Sequence, residues 1–480
     1  MTDDGFRSAS ATPPRGPGRA PGRRRRGAGA AAFLALALLL SVVPAGGSAG
    51  EPSCPTTDVF PSAARIETLP NGLKIVAVPL PSPNVIAYVT IVRAGSAREI
   101  EPASTGLAGL VARMMSSGTA TTPRPAYHDA LARIGAATRS RVDDDSAIFS
   151  VVFAGRENLE AVVRTEADRF INPAFAEGAF RTEAAVVEAE AAAADADPGQ
   201  RLMLALRGAA FDRHGYKRLP LVSPREIAGL AGRYQEGLLF EKRAYAPDNA
   251  ILLVAGDFDP APLAGFVRRY YGAWQMSGYD LRTPAEPPQE QARRVHVEGP
   301  ADAPARIAIG WHGPAFSDAT PDKAALDLAA ELLFAPGSPL FERLVVKERT
   351  CRALAALAPA TRDPSLFVVS ALTARAGDLP AVEAEILREI ERAKADRPAA
   401  ARLDEAKSRL RNGLARALES TDAAAALLAG YLSLTGDPGA PNKLVDLYDR
   451  ITAKDVQDAV RKYLRASNST TVTLGGGGTN

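Results

Sequence analysis

Hydrolysis at a protein-bound metal needs donors at fixed spacings. Two histidines four residues apart on a helix fall on one face and reach the same zinc ion, and a glutamate between them takes the proton of the bound water. The four histidines of this chain, His128, His214, His296 and His312, have no second histidine at that spacing, and neither H-x-x-E-H nor H-E-x-x-H occurs. They are read as hydrogen-bonding residues of surface or core. Two cysteines, Cys54 and Cys351, are too few for a disulfide scaffold; in an oxidising compartment they pair with each other or stay as two free thiols. Gly46-Gly47-Ser48-Ala49-Gly50 matches G-x-S-x-G, but no strand-turn-helix surrounds it, so the match is fortuitous. There is no phosphate-binding loop, dinucleotide fingerprint or cysteine metal motif.

The elements that would carry a site are easier to read. Ile66-Glu67-Thr68-Leu69, the turn Pro70-Asn71-Gly72, then Leu73 to Val78 and Val85 to Val92 alternate as in a hairpin. A helix is predicted over about 104–117, with Leu107, Leu110, Val111, Met114 and Met115 at three-to-four spacing. An alanine-rich helix follows over about 183–194, and Ile251-Leu252-Leu253-Val254-Ala255 is a buried strand ending at Gly256-Asp257. The proline-bearing stretch 276–303 is read as a linker. Beyond it the pattern returns: a strand from Ile307 to Trp311, a helix from Ala324 to Phe334, and a last strand over Thr470 to Leu474. The pairs Gly118/Gly337 and Tyr245/Tyr463 share an offset of roughly 220 residues, as an internally duplicated α+β unit requires. The fold expected is therefore α+β, in two homologous halves, each a mostly antiparallel sheet packed with helices: 65–275 and 304–476, with 50–64 an N-terminal extension and 477–480 a flexible tail.

Composition fits a folded chain of that size. Of 480 residues, 46% are hydrophobic and 23% charged, enough to bury two cores, and nothing in the balance calls for nucleic acid. The formal net charge of +2 hides an asymmetry: the first fifty residues hold seven arginines against Asp3 and Asp4, so the remainder is near −3. Arg23 to Arg26, the apolar run Ala30 to Val43 and the small residues Gly47-Ser48-Ala49 have the three-part layout of a secretory signal, predicted over 1–49. The apolar run is roughly 14 residues, short of the ~20 that span a bilayer. Export to the periplasm or the cell exterior is expected, with no integral membrane span after removal of the signal.

Six stretches, in this order, carry a family resemblance: Leu69-Pro70-Asn71-Gly72-Leu73, Gly106-Leu107-Ala108, Met114 with Gly118-Thr119, Tyr245-Ala246-Pro247-Asp248-Asn249 through Gly256-Asp257, Ser338-Pro339-Leu340-Phe341, and Thr452-Ala453-Lys454-Asp455-Val456. Together they cover about 60–476, and the chain resembles the insulinase/pitrilysin zinc metallopeptidases, especially the two-half subunits of the mitochondrial processing peptidase type. In active members the helix after Gly-Leu-Ala carries H-x-x-E-H. Here those three positions are Gly109, Ala112 and Arg113. The first two offer no ligand or proton acceptor, and a guanidinium repels a divalent cation. The resemblance places the third ligand at Glu190, with Glu188 as the near alternative; a lone carboxylate does not hold zinc, and a salt bridge to Arg113 or a solvated helix face suits Glu190 better. The substrate-orienting arginine and tyrosine of the second half read Val345 and Arg352, with Arg343 or Arg349 as stand-ins if the alignment shifts by one residue.

What the resemblance implies is a peptidase-like protein with a degenerate motif, no catalytic residues and no zinc. The expected role is the inactive subunit that pairs with an H-x-x-E-H-bearing homologue and helps form a chamber for extended peptides. Two alternatives stand beside it: a structural scaffold comparable to the core proteins of the respiratory bc complex, and a zinc endopeptidase whose site is composite or uses unusual ligands.

Overall fold

The computed structural model describes Phe60 and residues 64–101, 104–220, 223–299 and 304–475. The expected leader, Cys54 and the tail lie outside the described residues. Among the described residues, eleven strands form two sheets. The first contains β1 (Arg65–Thr68), β2 (Lys74–Pro79), β3 (Val85–Val92), β4 (Ala137–Val142), β5 (Ala147–Ala154) and β6 (Ala250–Gly256), in the order β1-β2-β6-β3-β5-β4. The second contains β7 (Arg293–Glu298), β8 (Arg306–His312), β9 (Cys351–Leu357), β10 (Leu366–Thr373) and β11 (Ser469–Gly475), in the order β7-β11-β8-β10-β9. Every pairing is antiparallel except β2 with β6 and β7 with β11.

Without β1, the first order maps onto the second position by position. The first residues of β2 and β7, of β5 and β10, and of β6 and β11 are each 219 residues apart. So are Gly118 and Gly337, both at positive φ (97° and 87°), a conformation that glycine adopts at little cost. The duplication is thus present in topology and in turn chemistry.

Two sequence expectations need correction. Pro70-Asn71-Gly72 does turn β1 into β2, with Gly72 at φ 86°. However, β3 does not pair with β2, because β6, buried along its whole length as its run of Ile, Leu and Val requires, lies between them. The stretch 276–303 is not all linker either: Arg293–Glu298 is a strand parallel to β11. Arg-Arg-Val-His-Val-Glu is polar because this edge strand is largely exposed, and that polarity hid it.

Five helices of the first half concern the site: α1 (Leu107–Met114), α2 (Arg124–Arg133), α3 (Leu159–Ile171), α4 (Glu177–Asp195) and α5 (Pro198–Ala210). The first is shorter than its periodicity suggests and the fourth begins six residues earlier. The halves hold each other reciprocally. Leu202, Leu206 and Ala210 of α5 pack on Ala308, Leu366, Val368, Val472 and Leu474 of the second sheet. In return Ala425, Leu428, Ala429 and Leu432 of the helix Thr421–Thr435 pack on Val76, Val78, Val89, Ile91 and Leu253 of the first. Each sheet face that its own half leaves bare is closed by a helix from the other, so the two cores stabilise one another.

Candidate functional site

The degenerate motif lies on α1. Gly106 precedes the helix at φ 87° and supplies no side-chain cap. The buried Glu99 carboxylate takes that role, accepting from the N–H groups of Gly106 (2.9 Å) and Ala108 (2.8 Å). Burial pushes the Glu99 carboxyl up to about 7, while those two N–H groups work the other way. Leu107, Leu110, Val111 and Met114 anchor α1 in the core, and this orients the remaining face.

On that face Gly109 is half-buried, Ala112 is buried and Arg113 reaches α4. Arg113 Nε donates to Glu183 Oε2 at 2.9 Å, and Arg113 NH1 donates to Glu190 Oε1 at 3.1 Å and Oε2 at 3.4 Å. Arg124 NH1 of α2 donates to the other Glu183 oxygen at 3.0 Å. Glu190 is therefore brought to the motif. Glu188 is not: its Oε1 accepts the backbone N–H of Leu230 at 3.1 Å. Glu183, which sequence reasoning missed, is the better buried carboxylate, with 10% of its side chain exposed against 50% for Glu190. The available signal was its position seven residues, two helical turns, before Glu190 on the same face.

These residues do not fit zinc. Gly109 and Ala112 have no donor atom, a guanidinium has no lone pair to give, and both carboxylates face guanidinium nitrogens. Among the described residues no cluster of three or more His, Cys, Asp or Glu side chains is placed to hold a metal ion.

The histidines lie elsewhere, each with local partners. His128 packs edge-on against Tyr127. His214, buried, accepts the Tyr216 N–H at Nδ1 (3.1 Å), which leaves its Nε2–H to donate to Asp363 Oδ2 (3.2 Å). His296 Nδ1 meets Thr473 Oγ1 at 2.9 Å, and His312 Nε2 donates to the Ala210 carbonyl at 3.0 Å, with burial lowering the His312 pKa. Cys351 is buried at the start of β9, and burial pushes its thiol up to about 11.

In the second half, Val345 sits half-buried in a π-helical turn, Glu342–Lys347, a widened turn often found at functional positions. Arg343 is paired with Glu385. Arg352 is exposed on β9, its nearest partner the Ala374 carbonyl at 3.4 Å. Arg349 is exposed at φ 56°. The segment keeps an unusual backbone but presents no arginine and tyrosine pair at those positions.

Beside α1 runs β4, Ala-Thr-Arg-Ser-Arg-Val, the outer strand of the first sheet and exposed along almost its entire length. Among the described residues no strand pairs with its outer edge, which offers main-chain N–H and C=O groups to an added strand.

Comparison with known proteins agrees with this fold. The description "Insulinase (Peptidase family M16)" matches residues 76–225, and "Peptidase M16 inactive domain" matches 238–410. The zinc protease PqqE of Helicobacter pylori is 25% identical over 420 residues, 85% of this chain and 91% of that protein. The crystal structure of a peptidase M16 inactive domain from Pseudomonas fluorescens superposes with a TM-score of 0.77 at 18% identity, covering 87% of this chain and 99% of the other. That of the periplasmic protease PqqL from Escherichia coli superposes at 0.71 and 18% identity, over 86% of this chain and 48% of that one. The last two likenesses are likenesses of fold.

Proposed function

Since the chain belongs to the insulinase (M16) peptidase family, we propose that it is a non-catalytic member, the inactive subunit that pairs with an H-x-x-E-H-bearing homologue and completes a chamber for extended peptides. The observation that carries this reading is Arg113 lodged between Glu183 and Glu190, where active relatives need a metal. The retained duplicated fold and the bare β4 edge support a binding role: a peptide added to β4 gains main-chain hydrogen bonds without any chemistry. Export to the periplasm or cell exterior is part of the proposal. The leader-like sequence supports it, and no helix among the described residues is long and apolar enough to cross a membrane.

The test is peptide hydrolysis and zinc content of the chain from residue 50 onward, alone and mixed with an H-x-x-E-H-bearing homologue encoded beside it. Hydrolysis or stoichiometric zinc in the chain alone overturns the proposal. Activity that appears only in the mixture, beyond that of the homologue alone, supports it.

A further inference from the structure

We propose that Arg113 and Arg124 jointly replace the metal as the positive charge that ties α1, α2 and α4 together. The site is then refilled rather than vacated. The inference rests on the reading of this site as non-catalytic.

Glu183 is the center of the arrangement. A carboxylate that deeply buried needs hydrogen-bond donors and an opposite charge to offset its lost hydration. Each of its oxygens is served by a different guanidinium from a different helix: Oε1 by Arg124 of α2, Oε2 by Arg113 of α1. Arg113 then continues to Glu190, one donor nitrogen on each carboxylate. Two guanidinium charges stand against two carboxylates, so the positive charge of one divalent ion is present in covalently attached form.

Gly109 leaves the neighbouring part of this face open. It lies one turn before Arg113 on the same face, and a β-carbon placed on it meets no heavy atom within 4 Å. Arginine suits the task because its planar fork binds two acceptors at once and stays charged at every physiological pH.

The experiment is thermal unfolding of the full chain in EDTA and in zinc, for the wild type, Arg113→Ala and Arg124→Gln. The wild-type midpoint is expected to be indifferent to both additions. Arg113→Ala should lower it by roughly 3–6 °C, the scale expected when a partly buried charge loses its partner. Zinc should recover part of that loss in Arg113→Ala, where the carboxylates again need a cation, and not in the wild type. A midpoint for Arg113→Ala equal to the wild type, or a loss that zinc does not recover, overturns the charge replacement. If Arg113→Ala does not fold, Arg124→Gln, at a residue 56% exposed, takes its place: a lowered midpoint that zinc does not recover is expected, since Arg113 still fills the site, and an unchanged midpoint overturns the proposal. Hydrolysis measured in the same zinc-treated wild-type sample separates the two ideas: its appearance sinks the non-catalytic reading, whereas a failed rescue without hydrolysis sinks only this one.

Discussion

Arg362 of the second half and Asp145 of the first half are bonded twice across the seam between the sheets. The Arg362 backbone N–H donates to Asp145 Oδ2 at 2.9 Å, and its NH2 donates to the Asp145 carbonyl at 3.3 Å. The same guanidinium donates to the carbonyls of Arg93 (3.3 Å) and Ser433 (3.2 Å), the latter near the C-terminal end of the helix that covers the first sheet. Tyr216 adds its hydroxyl to the Asp145 carboxylate at 2.8 Å. Arg362→Ala deletes the side-chain bonds and takes this donor from the Arg93 and Asp145 carbonyls, while the Ser433 carbonyl keeps the Arg93 Nε–H at 3.2 Å. We expect a loss of about 1–3 kcal/mol, read from urea unfolding. A loss below about 0.5 kcal/mol, the scale of an ordinary surface change, would show that the seam is held by the apolar helices alone.

Arg349 is one of two non-glycine residues at positive φ among those described, and it is exposed. The left-handed region costs an L-residue about 1–2 kcal/mol, part of which glycine returns through the greater freedom of its unfolded chain. Arg349→Gly should therefore stabilise the protein by about 0.5–1 kcal/mol. Destabilisation would mean that the exposed guanidinium has a partner that offsets the strain.

Burial pushes the Glu241 carboxyl up to about 7, with Lys242 opposing. In the unfolded chain it titrates near 4.5, so between pH 4.5 and 7 the folded state holds the additional proton. Stability contributed by this group is accordingly lost as pH rises through that window. Glu241→Gln should match the wild type at pH 4 and exceed it at pH 8 in urea midpoint. The same offset at both pH values would contradict this. Asp363 has the opposite sign. The His214 bond holds its carboxyl down to about 2, so its contribution is present above about pH 4 and lost as pH falls toward 2.

Restoring the family's donors tests how much of the framework survives. The triple variant Gly109→His, Ala112→Glu, Arg113→His frees Glu190 and has open space at 109. One zinc per chain is expected after dialysis, and a weaker hold, stripped at lower EDTA concentration, when Glu190→Gln is added. A triple variant that folds and holds no zinc would indicate that α1 and α4 have moved apart from a metal-binding distance.

On an edge strand successive N–H groups alternate between the ladder and the open side. Of Arg139→Pro and Ser140→Pro in β4, one should therefore abolish binding of an extended peptide while the protein stays folded, and the other should cost a bond to β5. Equal peptide binding by a folded wild type and both folded variants would exclude β4 as the receiving edge.

Much of this was legible in the chain. Alternation from Ile66 to Val78 gives the first hairpin, and the apolar stripe of Leu107, Leu110, Val111 and Met114 gives the site helix, because periodicity records which face is buried. The strand Arg293–Glu298 was not legible, since an exposed edge strand has the polarity of a linker. Glu183 was not read, since its two-turn spacing from Glu190 places it on the same face of an alanine-rich helix without telling a buried carboxylate from a solvated one.

The sequence by itself determined that α1 has no metal donors: Gly109, Ala112 and Arg113 are what they are in any conformation. It also determined the duplication, because equivalent turns and strands recur at one offset. Only the tertiary structure decided what fills the site and what joins the halves. Arg113 meets Glu183 and Glu190 across 70 and 77 residues, and α5 and the helix Thr421–Thr435 each cover the other half's sheet. An apolar or charged face states only that it needs a partner. Which partner it obtains depends on chain segments far apart in sequence that packing brings together.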